Sequence, residues 1–219
     1  MRYQMNISPM VEQFNPDMTE FYYLTDFDEN RNTKLVAYRQ KGDVWHKEVI
    51  SKRPGQPFIS PDGKTMHLGR RFKQLTPSGW SEIQRLDSRF QAFPIMRMTA
   101  SEQGMLVFDA LGDKEGNTTL RYARLIDGKY EDPKPLSKPI NSGKYTAPPF
   151  IAKDESYIIW DSLRAEGFGR SDLYISFRQP DGTWGNAINM GDKINSSGWD
   201  AAASVTPDGR FILFHRRNE

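Results

Sequence analysis

Pro57-Phe58-Ile59-Ser60-Pro61-Asp62-Gly63-Lys64 runs into Thr65-Met66-His67-Leu68, and the same phrase returns near the end of the chain. There it reads Ala203-Ser204-Val205-Thr206-Pro207-Asp208-Gly209-Arg210, followed by Phe211-Ile212-Leu213-Phe214. A third copy is Pro149-Phe150-Ile151-Ala152-Lys153-Asp154-Glu155-Ser156, followed by Tyr157-Ile158-Ile159-Trp160. A weaker one is Gln13-Phe14-Asn15-Pro16-Asp17-Met18, followed by Phe21-Tyr22-Tyr23-Leu24. A degenerate fifth is Ile95-Met96-Arg97-Met98-Thr99-Ala100-Ser101, followed by Met105-Leu106-Val107-Phe108. Each is a short apolar strand, a tight turn and a second apolar strand. Pro presets φ for the turn, while Asp and Gly tolerate its awkward positions.

Two further markers keep step with this phrase. A turn followed by an aromatic appears as Gly42-Asp43-Val44-Trp45, Ser78-Gly79-Trp80, Asp127-Gly128-Lys129-Tyr130 and Asp181-Gly182-Thr183-Trp184. Alternating strands precede three of them, which is a hairpin signal. The second marker is Pro139-Ile140-Asn141-Ser142, matched by Lys193-Ile194-Asn195-Ser196. Tyr130 to Asp154 and Trp184 to Asp208 are both 24 residues, and Asn141 to Asp154 and Asn195 to Asp208 are both 13. Three markers held in one register are the signature of an internal repeat.

Spacings of 45, 39, 53 and 54 residues separate Asp17, Asp62, Ser101, Asp154 and Asp208. Propeller blades of four strands run about 40–50 residues. The spacing therefore predicts an all-β chain: a β-propeller of four-stranded antiparallel blades forming one domain over residues 1–219. Its units lie near 9–53, 54–91, 92–146, 147–200 and 201–219. Strands are expected near residues 20–25, 34–39, 64–69, 105–109, 117–124, 148–152, 156–161, 172–178 and 210–215. No apolar period near 3.6 predicts a helix longer than two turns. The last unit holds two strands before Glu219, and a strand from residues 2–9 would complete it, giving five blades. A chain continuing past Glu219 would give six.

The units Phe58-Ile59-Ser60-Pro61-Asp62-Gly63-Lys64 and Ser204-Val205-Thr206-Pro207-Asp208-Gly209-Arg210 resemble the WD40-like (PD40) propeller repeat of bacterial TolB-type proteins. The most specific match runs from Gly169-Arg170-Ser171-Asp172-Leu173-Tyr174-Ile175-Ser176-Phe177-Arg178 through Asp181-Gly182-Thr183-Trp184 to Ile194-Asn195-Ser196. The resemblance implies a β-propeller and a periplasmic or secreted protein. It implies no particular chemistry, because propellers host binding modules and enzymes alike. The chain departs from the repeat at Lys153-Asp154-Glu155 and Ala100-Ser101-Glu102, which leaves the turn type in those units open.

Composition narrows the function. The 219 residues carry 30 Lys+Arg against 28 Asp+Glu, a formal net charge of +2. So even a balance argues against a dedicated nucleic-acid surface. Cysteine is absent, which removes disulfides, thiolate nucleophiles and zinc–thiolate or iron–sulfur sites. No apolar run approaches the roughly 18 residues of a membrane span. The start, Met1-Arg2-Tyr3-Gln4-Met5-Asn6, shows no apolar leader. No cofactor motif is present.

Repeated polar residues read as blade-building parts. Asp17, Asp62, Asp154 and Asp208 recur because a turn recurs, and an Asp side chain satisfies backbone N–H groups there. Trp45, Trp80, Tyr130 and Trp184 recur at one place and are expected to pack between neighbouring sheets. His46, His67 and His215 lie in three different units, with no spacing that suggests a metal site. Ile151, Ile158, Trp160, Tyr174, Val205, Ile212 and Phe214 are expected in the core.

Residues that break the repeat are free to serve a ligand. Eight positions past each turn, strand ends fall on one face of the disc. There and beside it stand Arg70, Asp109, Asp161, Arg164, Arg170, His215 and Arg216, a set with positive balance. Paired arginines suit an anionic or carboxylate-bearing guest. The leading expectation is a non-enzymatic propeller holding a protein, a peptide or a small anionic or carbohydrate ligand at one face or channel mouth. The alternative is a hydrolase or polysaccharide lyase at the same mouth, with Asp109 and Asp161 as a carboxylate pair. No Gly-x-Ser-x-Gly elbow or phosphate loop supports it.

Overall fold

A computed structural model describes residues 12–25, 33–52, 55–111 and 118–217. The first sheet is β1 (Glu12–Phe14), β2 (Glu20–Thr25), β3 (Lys34–Lys41) and β4 (Val44–Lys52), paired in that order. The second contains β5 (Pro57–Ile59), β6 (Thr65–Leu68) and β7 (Arg71–Thr76). Its outer position is shared by β8 (Gly79–Trp80) and β9 (Gln84–Arg85), which pair opposite ends of β7. A single helical turn, α1 (Ser88–Gln91), leads to the third sheet. That sheet is β10 (Met98–Ala100), β11 (Leu106–Leu111) and β12 (Thr118–Ala123), with a small hairpin of β13 (Leu125–Ile126) and β14 (Lys129–Tyr130), and then β15 (Lys134–Pro135) on β12. The fourth is β16 (Phe150–Ile151), β17 (Tyr157–Ser162), β18 (Asp172–Phe177) and β19 (Ile188–Asn189). The fifth pairs β20 (Trp199–Val205) with β21 (Ile212–Arg217).

All described pairings between strands of a sheet are antiparallel, and each sheet runs outward from its first strand. The five first strands lie side by side in turn: β1 on β5, β5 on β10, β10 on β16, β16 on β20 and β20 on β1. The result is an all-β propeller with four-stranded antiparallel blades. The sequence expectation of a closing strand from residues 2–9 lies outside the described residues. Among the described residues no helix is long and apolar enough to cross a membrane.

The turn that joins the first and second strands of a blade explains the repeated phrase. Asp17, Asp62, Asp154 and Asp208 each accept the backbone N–H two residues on, at 3.0, 3.0, 3.0 and 3.1 Å. The residue after each Asp is left-handed: Met18 (φ 61°), Gly63 (φ 73°), Glu155 (φ 61°) and Gly209 (φ 72°). The fourth unit thus keeps the turn although it carries Glu where the second and fifth carry Gly. Glu155 is buried, accepts from Ser101 Oγ at 2.7 Å and pairs with Arg178, and these contacts offset the cost of the strained backbone.

Packing follows the period of a strand buried on both faces. Ile158 and Trp160 enter a core shared by the third and fourth sheets with Val107, Leu120, Ile151 and Tyr174. Ile159, from the opposite face of the same strand, joins a larger core with Phe58, Phe108 and Phe150. A third core joins the first and second sheets through Tyr22, Leu35, Met66 and Leu68. Val205, Ile212 and Phe214 pack against the larger core but are only partly buried, because the fifth sheet has two described strands to cover them. Trp80, Tyr130 and Trp184 pack against core clusters as expected, whereas Trp45 stays exposed on an edge strand.

Candidate functional site: the central channel

The five first strands surround a central channel whose two ends differ. At the turn end is a cavity of about 250 Å³. Every blade and the two-stranded sheet contribute: Phe14 from the first, Ile59 from the second, Ala100 from the third, Phe150 from the fourth and Val205 from the fifth. The inner wall is mostly apolar. The rim is polar, with Glu102, Lys153, Asp154 and Thr206, and Lys153 stands 4.0 Å from Glu102. Gln13 braces this wall. Its Nε2 donates to Ile59 O at 3.1 Å and its Oε1 accepts from Ile59 N at 2.7 Å, which ties β1 to β5.

The strand-end side of the channel is filled by three charged residues. Arg97, Asp109 and Asp161 are 0%, 1% and 3% exposed. Arg97 precedes β10, yet its Nη1 donates to Ala203 O of β20 at 3.0 Å, so the guanidinium spans the channel past β16. Asp109 accepts the N–H groups of Met96 and Arg97, both at 2.9 Å. Asp161 accepts from Ser171 Oγ at 3.1 Å and from Ala202 N at 2.9 Å. Ala202 offers that N–H from a left-handed conformation (φ 58°) at a bulge in β20. Burial pushes the Asp109 carboxyl up to about 6, against the pull of the Met96 and Arg97 N–H groups and the Arg97 charge. Burial raises Asp161 well above the usual carboxylate range. It also lowers Arg97 to about 10. The Arg97 charge opposes the rise of both carboxyls without cancelling it.

Of the residues singled out in sequence, the structure brings Asp109 and Asp161 together around Arg97. The others have separate partners. Arg70 is exposed, with Nη1 donating to Gln91 O at 3.1 Å. Arg164 is half-buried and gives Nη2 to Pro139 O and Ile140 O, both at 3.0 Å. Arg170 is exposed, and its backbone N–H donates to Gly198 O at 2.8 Å. His215, half-buried, sits opposite Ala201 on β21. Next to it, Arg216 Nε is 2.6 Å from the buried Asp200, which also takes Ser196 N and Oγ. Among the described residues no group of three or more His, Asp or Glu is arranged to hold a metal ion.

Sequence reasoning missed Arg97, Asp172 and Asp200. Asp172 is buried and anchors the loop before β18 by accepting from Phe168 N at 2.6 Å, Gly169 N at 3.2 Å and Asn189 Nδ2 at 2.9 Å. Its place in the best-matching stretch of the repeat was a signal. Arg97 gave none, since it lies in the degenerate unit.

No family model matches the chain, and no curated protein matches it. Among solved structures it is similar to the hydrazine synthase of Kuenenia stuttgartiensis, at 11% identity and a TM-score of 0.52, over 98% of this chain and 75% of that one. It is similar to a Lactobacillus plantarum protein at 10% identity and a TM-score of 0.52, over 95% of this chain and 64% of that one. At these identities the likeness is one of fold alone.

Proposed function

We propose that this protein is a non-enzymatic binding propeller of the WD40-like, TolB type. In this reading β20 and β21 belong to a fifth blade, and the turn end of the channel takes one apolar side chain of a protein or peptide partner. The cavity at that end carries the reading. Its walls come from all five innermost strands. Its volume of about 250 Å³ is a magnitude that decides the class of guest. Drug-sized ligands occupy roughly 300–1,000 Å³, whereas a cavity of about 150 Å³ already holds a benzene ring. One aromatic or branched side chain fits, and the charged rim of Glu102, Lys153 and Asp154 receives the flanking peptide. The hydrolase or lyase alternative has less support, because Asp109 and Asp161 are both buried away from solvent.

A selection of random displayed peptides on the immobilised protein tests this. Selected sequences should share one aromatic or leucine residue. Ala100→Leu, which narrows the cavity, should weaken them at least about tenfold when binding is measured well below the variant's own melting temperature, which added bulk at this buried position lowers. Peptides that bind Ala100→Leu and the parent alike would place the site elsewhere, with the face around Arg70 and Arg170 next in line.

A further inference from the structure

A second recess lies between the second and third sheets. Its volume is about 650 Å³. One wall is a sheet face: His67 on β6 pairs with Phe72 on β7, and Gln74 stands two residues further along β7 on the same side. The other wall brings Glu102 from the turn after β10 and Tyr130 from β14. The Tyr130 ring is set by an edge contact with Phe90, with centroids 5.6 Å apart, and its backbone O accepts from Arg89 Nη1 at 2.8 Å. With Asp62 the lining holds two acids and, among the described residues, no Lys or Arg. His67, Phe72 and Gln74 take no part in the channel cavity.

His67 is the lining side chain that blade-building does not explain. It is 5% exposed, and its Nδ1 is enclosed with no hydrogen-bond partner. Burial holds the ring neutral, lowering its pKa to about 4 against the pull of Asp62. A neutral imidazole carries one proton, on either nitrogen. Orphaned buried N–H groups are rarer than orphaned acceptors, so the proton belongs on Nε2 and the enclosed Nδ1 keeps its lone pair. Nε2–H is then the donor that His67 offers to the recess its ring lines. An ammonium ligand has no acceptor for this donor, and an anion meets two acids. A neutral sugar satisfies both constraints: its hydroxyls accept and donate, and its C–H face suits an aromatic ring. The volume also falls within the roughly 300–1,000 Å³ of small-molecule sites. We propose that this recess binds a neutral carbohydrate: one hydroxyl oxygen accepts from His67 Nε2–H, others donate to Glu102 and the Gln74 amide oxygen, and a ring face rests against Phe72. The site stands whether or not the channel cavity takes a peptide.

The probes are D-glucose, D-galactose, D-mannose, D-xylose and L-arabinose, each titrated into the full chain, with benzylamine and sodium benzoate as charged controls. Proton–nitrogen NMR spectra follow the His67 imidazole and the Gln74 side-chain amide. The sugar-free protein should carry the His67 proton on Nε2. At least one sugar should move both signals saturably, and neither control should. His67→Phe keeps a ring of similar size and removes both nitrogens. Followed on Gln74, it should raise the half-saturating concentration of that sugar at least about fivefold, the equivalent of one neutral hydrogen bond. Gln74→Ala, at an exposed position and followed on His67, should raise it at least about threefold. Gln74→Ala carries the test if His67→Phe does not fold. Four results overturn the proposal: no saturable shift with any sugar, a control that moves the signals as strongly as the sugars, a His67 proton on Nδ1, or an unchanged midpoint in His67→Phe or, in its place, in Gln74→Ala.

Discussion

Asn195 holds Leu173 by both halves of its amide: Oδ1 accepts from Leu173 N at 2.8 Å and Nδ2 donates to Leu173 O at 3.0 Å. One blade earlier, Asn141 holds Leu120 in the same way, at 2.8 and 3.1 Å. Leu173 pairs with Asp161 across the sheet, and Leu120 pairs with Asp109. The repeated asparagine therefore fixes the strands opposite the two carboxylates in the channel. The marker visible in sequence and the buried charges are two ends of one device.

Asn195→Ala removes both bonds at a buried position and takes the acceptor from Leu173 N–H, while Leu173 O keeps the Met190 N–H at 3.0 Å. A loss of about 1–3 kcal/mol is expected in denaturant unfolding. Asn141 is less buried, so Asn141→Ala should lose less. Equal losses, or a loss at Asn195 under about half a kcal/mol, would mean that water replaces the amide freely.

The raised Asp109 carboxyl gives stability a defined dependence on pH. Its ordinary value is 3.8 and burial moves it to about 6. The folded protein therefore holds a proton that the unfolded chain has lost between those values. Stability from this group is fully present below about pH 3.8 and declines as pH rises through 6, by on the order of 3 kcal/mol. Asp161 is shifted in the same direction. The turn residues Asp17, Asp62, Asp154 and Asp208, lowered by their side-chain and backbone bonds, act in the opposite sense. Subtracting the pH profile of Asp109→Asn from that of the parent isolates the term. A flat difference between pH 4 and 7 would show that Asp109 is ionised at no cost.

Glu155 stands left-handed where two other turns have glycine. Glu155→Ala keeps the strained conformation and loses the contacts to Ser101 and Arg178. Glu155→Gly loses the same contacts but relaxes the backbone. Glu155→Gly should therefore be the more stable of the two by about 1 kcal/mol, with both below the parent. Thermal melts of the pair decide it, and a reversed order would remove backbone strain from the account.

The blades were legible because they repeat. Turn aspartates, the phase of apolar residues and the paired asparagines each recur, and recurrence exposes what a fold needs at one place. Counting along a strand also gave the height of Asp109 and Asp161 correctly, near the strand-end side. It did not give their direction. Asp109 lies eight residues past Ser101 and Asp161 seven past Asp154, yet the asparagine pairing shows them to be equivalent. Whether a polar side chain at that height meets water or the channel depends on strands from other blades. Arg97 shows the same limit, because its burial comes from β20, more than a hundred residues away. The turn-end cavity was invisible for the same reason, since its walls belong to five separate strands.

The most direct test of the channel as the binding site is methyl NMR of the protein titrated with N-acetyl-tryptophanamide, a single aromatic side chain in peptide form. Binding in the channel gives saturable shifts at Ile59, Ile151 and Val205, which line the turn-end cavity, and none at Ile188, which lies exposed on an outer strand. Shifts at Ile188 with Ile59, Ile151 and Val205 unmoved would contradict it.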